Sequence, residues 1–223
     1  MPNRVVTMMN LHPVTIVLIV ANVLVSLKGF NDRLFFERYK FGVGAIHAGQ
    51  KDRMFTSGFL HVDMSHLFFN MFTLYFFADV CIDWFGPIQF VIIYMISLLA
   101  GSLLALFFHK DEPYYSAVGA SGAVTGVLYA AILLEPNMQL GIMFIPIPLP
   151  AYVLGIGYLL YSIYGMKKRI GNIGHTAHFG GAIGGYVTTL LFMPSLLVTH
   201  TLMVVLLAIP IIILFVLAKM GKL

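Results

Sequence analysis

The chain has 223 residues, 60% of them hydrophobic and 10% charged, with a mean hydropathy of +0.92 and a formal net charge of +4. A soluble domain cannot hide that much apolar surface, so most of it must face lipid. The small positive charge sits on connections rather than in an aromatic-interleaved basic stripe, which argues against nucleic acid as a partner.

In chain order, apolar stretches occur at 13–28, 66–82, 87–108, 115–134, 149–165, 174–193 and 196–218. Several approach the roughly 20 residues a helix needs to cross the hydrocarbon. They predict an all-α polytopic membrane protein with no room for a separate soluble domain. The first stretch follows Arg4 but lacks an Ala-x-Ala site before Lys28, so it is expected to be a retained span. Segment 29–60 is the one long connection, mixing Asp32, Arg33, Glu37, Arg38, Lys40, Lys51, Asp52 and Arg53 with aromatics. It reads as a folded loop at the membrane surface. Ser65 is the expected N-cap of the second span, and Pro87 suits the first turn of the third. Glu135-Pro136-Asn137 stops the fourth span, and the alternate prolines of 143–150 place that stretch along the interface rather than inside a helix. The single cysteine, Cys81, excludes an internal disulfide and a multi-cysteine metal site.

The second, fourth and sixth spans cross the bilayer in the same direction. His66 and Asn70 open the second, Ser121 lies about six residues into the fourth, and His178 about four into the sixth. At 1.5 Å per residue these four polar groups lie roughly 5–10 Å below one surface.

Serine in a membrane helix is most often a packing residue bonded to its own i−4 carbonyl, and glycines are most often packing residues too. Position 123 is Ala, so the stretch is not the G-x-S-x-G elbow of soluble hydrolases. His178 alters that balance. Gly181 and Gly185 lie three and seven residues beyond it, on its face, as Gly122 and Gly126 lie below Ser121, with Gly119 just before. Two glycine-faced helices can bring a hydroxyl within hydrogen-bond reach of an imidazole. His175, one turn nearer the surface, is the competing base, and a satisfied core histidine is the bland alternative. No Asp or Glu lies within the fourth or sixth span, which points to a Ser–His dyad rather than a triad. His66 and Asn70 share a helical face and can donate to an oxyanion, or can clamp two helices. His61 reads as a loop or interface residue.

With "GFLHVDMSHLFFNMF" (58–72), "GASGAVTG" (119–126) and "AHFGGAIGG" (177–185) in that order, the chain resembles the rhomboid intramembrane serine proteases over roughly 10–195. The resemblance implies Ser121 as nucleophile, His178 as general base, and His66 and Asn70 as oxyanion-hole side chains. It implies a six-helix catalytic core over 1–195 with an extra transmembrane helix in 196–223. The substrate would be a transmembrane segment of another membrane protein, cut in the lipid bilayer without metal, nucleotide or other cofactor. Many members carry a Trp-Arg pair in the first loop; here Asp52 precedes Arg53. Some carry a tyrosine four residues after the serine, packed on the histidine; here that position is Thr125, so His178 must be held in another way.

Two other readings stay open on the residues alone. One is a non-catalytic binder of membrane helices. The other is a membrane b-type haem protein using two of His61, His66, His175 and His178. The resemblance puts the site on the exterior face of the cell (plasma or inner) membrane. The positive-inside rule points the other way, because Lys167-Lys168-Arg169 and most other basic residues fall on the site's side.

Overall fold

The computed structural model describes residues 11–142, 145–168 and 174–223, with the side chains of 140–142 and 145–148 outside the description. α1 (Pro13–Asn31) is followed by a folded surface segment containing α2 (Arg33–Tyr39), β1 (Phe41–Gly42), α3 (Val43–His47), α4 (Arg53–Thr56) and a 3₁₀ turn at Ser57–Phe59. Then come α5 (Met64–Phe85), α6 (Pro87–Phe108), β2 (Ser116–Ala117) and α7 (Ser121–Leu134). β3 (Gln139–Ile142), β4 (Ile145–Pro150), α8 (Ala151–Lys168), α9 (His175–Phe192), α10 (Leu196–Thr199) and α11 (Thr201–Lys219) complete the chain.

Helices α1, α5, α6 and α11 are long and apolar enough to cross a membrane, and α7 is a shorter apolar helix. The protein is an all-α polytopic membrane protein. The third span matches its predicted limits, with Pro87 at the first turn behind Gly86. The N-cap of α5 is Asp63 rather than Ser65: its carboxylate accepts the His66 N–H at 2.7 Å and the Ser65 hydroxyl at 2.6 Å. These two donors, the hydroxyl first, hold the Asp63 carboxyl below the usual carboxylate range. Stretch 143–150 is not helical in its described part, as its alternate prolines require. β4 pairs antiparallel with β3, because prolines at every second position leave the intervening N–H groups for a partner strand.

The fourth span departs most. Residues 115–120 are not helical, and α7 begins at Ser121 itself. Fourteen residues make a helix of roughly 21 Å. That falls roughly 9 Å short of a 30 Å hydrocarbon core. Almost every α7 side chain is buried, so the helix is the central post of the bundle.

In lipid, helices gain nothing from hiding apolar side chains from one another, so close packing of small residues holds them. α9 has two such faces. A Cβ on Gly181 would collide with the Gly122 carbonyl oxygen of α7, and one on Gly185 with that of Gly126. On its other face, Gly180 abuts the Ala100 carbonyl and the Gly101 Cα of α6, and Gly184 lies against the Ser97 Cα. Polar ties finish the bundle: the Asn22 amide donates to Tyr94 Oη (3.2 Å) between α1 and α6, and Tyr129 Oη to the Gly155 carbonyl (3.2 Å) between α7 and α8.

The surface segment is folded around Arg53, which is buried despite its charge. Its guanidinium donates to the carbonyls of Glu37 (2.8 Å) and Lys40 (2.9 Å) at the end of α2, and to Gln50 Oε1 (2.8 Å). A helix C-terminus offers unpaired carbonyls and partial negative charge, which suits this cation. The neighbouring Asp52 pairs with Arg38 at 2.8 Å.

Candidate active site

The segment before Ser121 is irregular, so its backbone groups need partners other than those of a helix. Each part of it is tied down. Strand β2 pairs with β1, Phe41 opposite Ala117 and Gly42 opposite Ser116. The Gly119 N–H donates to the Ser57 carbonyl (3.0 Å), and the Ala120 N–H to Nε2 of His61 (3.3 Å). Nε2 is therefore the bare nitrogen of His61, and its Nδ1–H faces Ser26 Oγ of α1 at 2.8 Å. Ser26 passes its own hydrogen to the Phe59 carbonyl (3.0 Å). Burial, with a smaller effect of nearby His66, pushes the His61 imidazole down to about 3, so this acceptor stays unprotonated at ordinary pH. His61 is thus a buried support of the serine loop, a role its sequence context did not reveal.

At the first position of α7, Ser121 presents its Oγ 2.7 Å from Nε2 of His178. Nδ1 of the same imidazole lies 2.5 Å from the phenol of Tyr158 on α8, the rings tilted with centroids 5.4 Å apart. Tyr158 is the residue the sequence reading missed when it left the holder of His178 open. Thr125 instead turns its hydroxyl to the Ser121 carbonyl at 2.7 Å. His175 lies against Tyr161, ring centroids 5.8 Å apart, and over Gly165 of α8, so His178 is the histidine that meets the serine.

Gly119 is not in a helix, contrary to its expected place among the packing glycines. Its φ of +132° is a conformation that glycine adopts without strain. A Cβ there would lie 2.8 Å from His66 Nε2 and 3.6 Å from Ser121 Oγ, so the missing side chain leaves a gap bounded by both. Asn70, one turn beyond His66, donates one amide hydrogen to the His66 carbonyl (2.9 Å) and keeps a second. The first N–H groups of α7 precede the first intrahelical bond, from Val124 N to the Ala120 carbonyl (2.9 Å), and so have no helical acceptor.

All these groups border one cavity of about 890 Å³, lined by His66, Asn70, Gly119, Ser121, Tyr158 and His178 among others. Phe36 and Lys40 of the first connection, Tyr114 to Val118 of the third, and Gly174 from the last rim it. A hydroxyl hydrogen-bonded to an imidazole, beside a gap faced by N–H donors, is the constellation acyl transfer needs. As haem ligands, His61 and His178 are poorly suited, because both nitrogens of each are engaged. Among the described residues, no three His, Cys, Asp or Glu side chains are grouped to hold a metal ion.

A family model for the Rhomboid domain matches residues 48–195, more than half of the chain. The chain belongs to the rhomboid family. Over 182 residues it is 31% identical to the RHOMBOID-like protein 12, mitochondrial, of Arabidopsis thaliana, covering 74% of this chain and 54% of the relative. Over 143 residues it is 30% identical to the rhomboid protease GluP of Bacillus subtilis (strain 168), covering 63% of this chain and 26% of that protein. Its match to the Inactive RHOMBOID-like protein 8 of Arabidopsis thaliana is 28% over 152 residues, covering 65% of this chain and 39% of the relative. The chain therefore spans about half, or less, of the length of these rhomboid relatives.

Proposed function

We propose that this rhomboid is an intramembrane serine endopeptidase working with a Ser121–His178 dyad. The carrying observation is the 2.7 Å contact between Ser121 Oγ and His178 Nε2 beside an open cavity. His178 takes the hydroxyl proton as Oγ attacks a peptide carbonyl, then returns it to the leaving amine. The oxyanion forms in the gap beside Gly119, where His66, Asn70 and the first N–H groups of α7 can donate to it. Water reaches the acyl-enzyme through the cavity, and the cycle repeats with water as nucleophile.

The substrate is a transmembrane segment of another membrane protein, which must unwind locally before its backbone can enter. Residues 1–195 form the catalytic core, and 196–223 add a further transmembrane helix. No cofactor takes part. The protein resides in the cell membrane with its cavity toward the exterior; the mitochondrial label of the Arabidopsis relative belongs to that protein.

Fluorophosphonate labelling tests this reading. Wild-type protein should be labelled on Ser121, and Ser121→Ala and His178→Ala should each fold normally and lose cleavage of a transmembrane substrate. Nucleophile and base act as a unit, so either loss costs nearly the whole effect. Normal yield with more than about a tenth of wild-type turnover in either variant would remove the dyad. A protein that binds transmembrane helices but takes no label would be a non-catalytic relative, like the one named inactive above.

A further inference from the structure

Two tyrosines three residues apart on α8 face two histidines three residues apart on α9. Tyr158 packs on His178 and Tyr161 on His175, with ring centroids 5.4 and 5.8 Å apart. The reversed order is the register of antiparallel neighbours, and residues three apart share a helical face. The inner pair is also hydrogen-bonded, Tyr158 Oη to His178 Nδ1 at 2.5 Å.

A neutral imidazole has one N–H and one bare nitrogen. If the phenol donated to Nδ1, Nε2 would carry the hydrogen and aim it at Ser121, and the base could not act. If Nδ1–H donates to the phenol oxygen, the Nε2 lone pair faces the serine hydroxyl. Two observations favour the second arrangement. Ser121 Oγ lies 2.7 Å from His178 Nε2 and, at the first position of α7, has no carbonyl of its own helix one turn back to take its hydrogen, so that nitrogen is the acceptor within reach. Tyr158 also lines the cavity, so its own O–H has an outlet there.

Resting on the reading of Ser121 and His178 as nucleophile and base, we propose that Tyr158 is the positioning residue of the dyad. Its phenolic oxygen accepts the Nδ1 hydrogen of His178 and fixes the tautomer whose bare Nε2 faces Ser121. It stands where a Ser–His–Asp triad keeps its carboxylate, and it replaces the tyrosine absent at position 125. As Oγ bonds to the substrate carbonyl carbon, the carbonyl electron pair moves to oxygen and the hydroxyl proton moves to Nε2. When the C–N bond breaks, that proton goes to the leaving nitrogen. The Nδ1 hydrogen stays on His178 throughout, held against the neutral phenol, and Tyr158 exchanges no proton.

The test is Tyr158→Phe in the full chain, with Tyr161→Phe as the packing control. The phenylalanine keeps the ring against His178 and removes only the oxygen. A misplaced triad tautomer costs about 10⁴ in kcat, and a neutral partner contributes less than a carboxylate. The expected result is a fall in kcat of about 10- to 100-fold, with KM within about twofold, and little change for Tyr161→Phe. ¹⁵N NMR of labelled histidine should place the His178 hydrogen on Nδ1 in wild type and spread it over both nitrogens in Tyr158→Phe. An unchanged kcat in Tyr158→Phe beside an inactive Ser121→Ala would overturn the role of Tyr158 and leave the dyad standing. A wild-type hydrogen on Nε2 would overturn it as well. Active Ser121→Ala or His178→Ala would bring down the dyad itself, and Tyr158 with it.

Discussion

Gly119 is where one added carbon does most to the site. Alanine there would have to hold a φ of +132° and would put its methyl between His66 Nε2 and Ser121 Oγ. Gly119→Ala should therefore fold and bury its core normally yet lose at least about 10²-fold in turnover, comparable to losing an oxyanion donor. Activity above about a tenth of wild type would mean that the gap is not where the carbonyl sits. Asn70→Ala is expected to keep measurable turnover, reduced by about 10²–10³, since other donors survive. An unchanged rate would make Asn70 a packing residue bonded to the His66 carbonyl. Ser121, His178, His66 and Asn70 could be singled out from sequence because each breaks an apolar run at the same depth. Tyr158 could not, because it lies 20 residues from His178 on another helix and belongs to no motif. The trace it left is the tyrosine spacing 158, 161, 164 in an otherwise apolar stretch. His61 reads as a loop residue and is one, but its burial, with both nitrogens bonded inside the protein, could not be told from its sequence context.

Among elements, α9 carries the tightest demands. Its Gly181 faces the α7 backbone so closely that any side chain must push the two helices apart. Gly181→Leu should separate Ser121 from His178 and inactivate, with overpacking costing roughly 1–3 kcal/mol or more of stability. Thermal unfolding read beside turnover checks both parts; wild-type values for the leucine variant would place Gly181 away from the interface. The α7-facing stripe was readable as glycines spaced by helical turns. The second stripe, Gly180 and Gly184 against α6, was not, because on a helix this rich in glycine the spacing alone does not say which face meets which neighbour. The start of α7 was misplaced for a related reason. Residues 115–120 are as acceptable to an apolar window as the helix after them, and hydropathy does not register backbone conformation.

For the whole molecule, orientation is the open physical contest, with basic loops on the side of the cavity. Cys81 is fully buried, so a Cys81→Ser background permits single cysteines at Lys110, beside the cavity end, and at Asn137, on the opposite end. On intact cells a membrane-impermeant thiol reagent should modify position 110 and spare 137. The reverse pattern would turn the cavity inward. Another property of the molecule comes from the stitching of the serine loop. Tyr115 and Pro113 accept from the N–H groups of Val43 and Gly44, Gly119 donates to Ser57, and Ala120 donates to His61. Segments 41–61 and 113–120 are therefore a single inheritable part written in two places. A chimera that takes one from another rhomboid must take the other too, whereas the lipid-facing surfaces of the helices can be exchanged piecemeal.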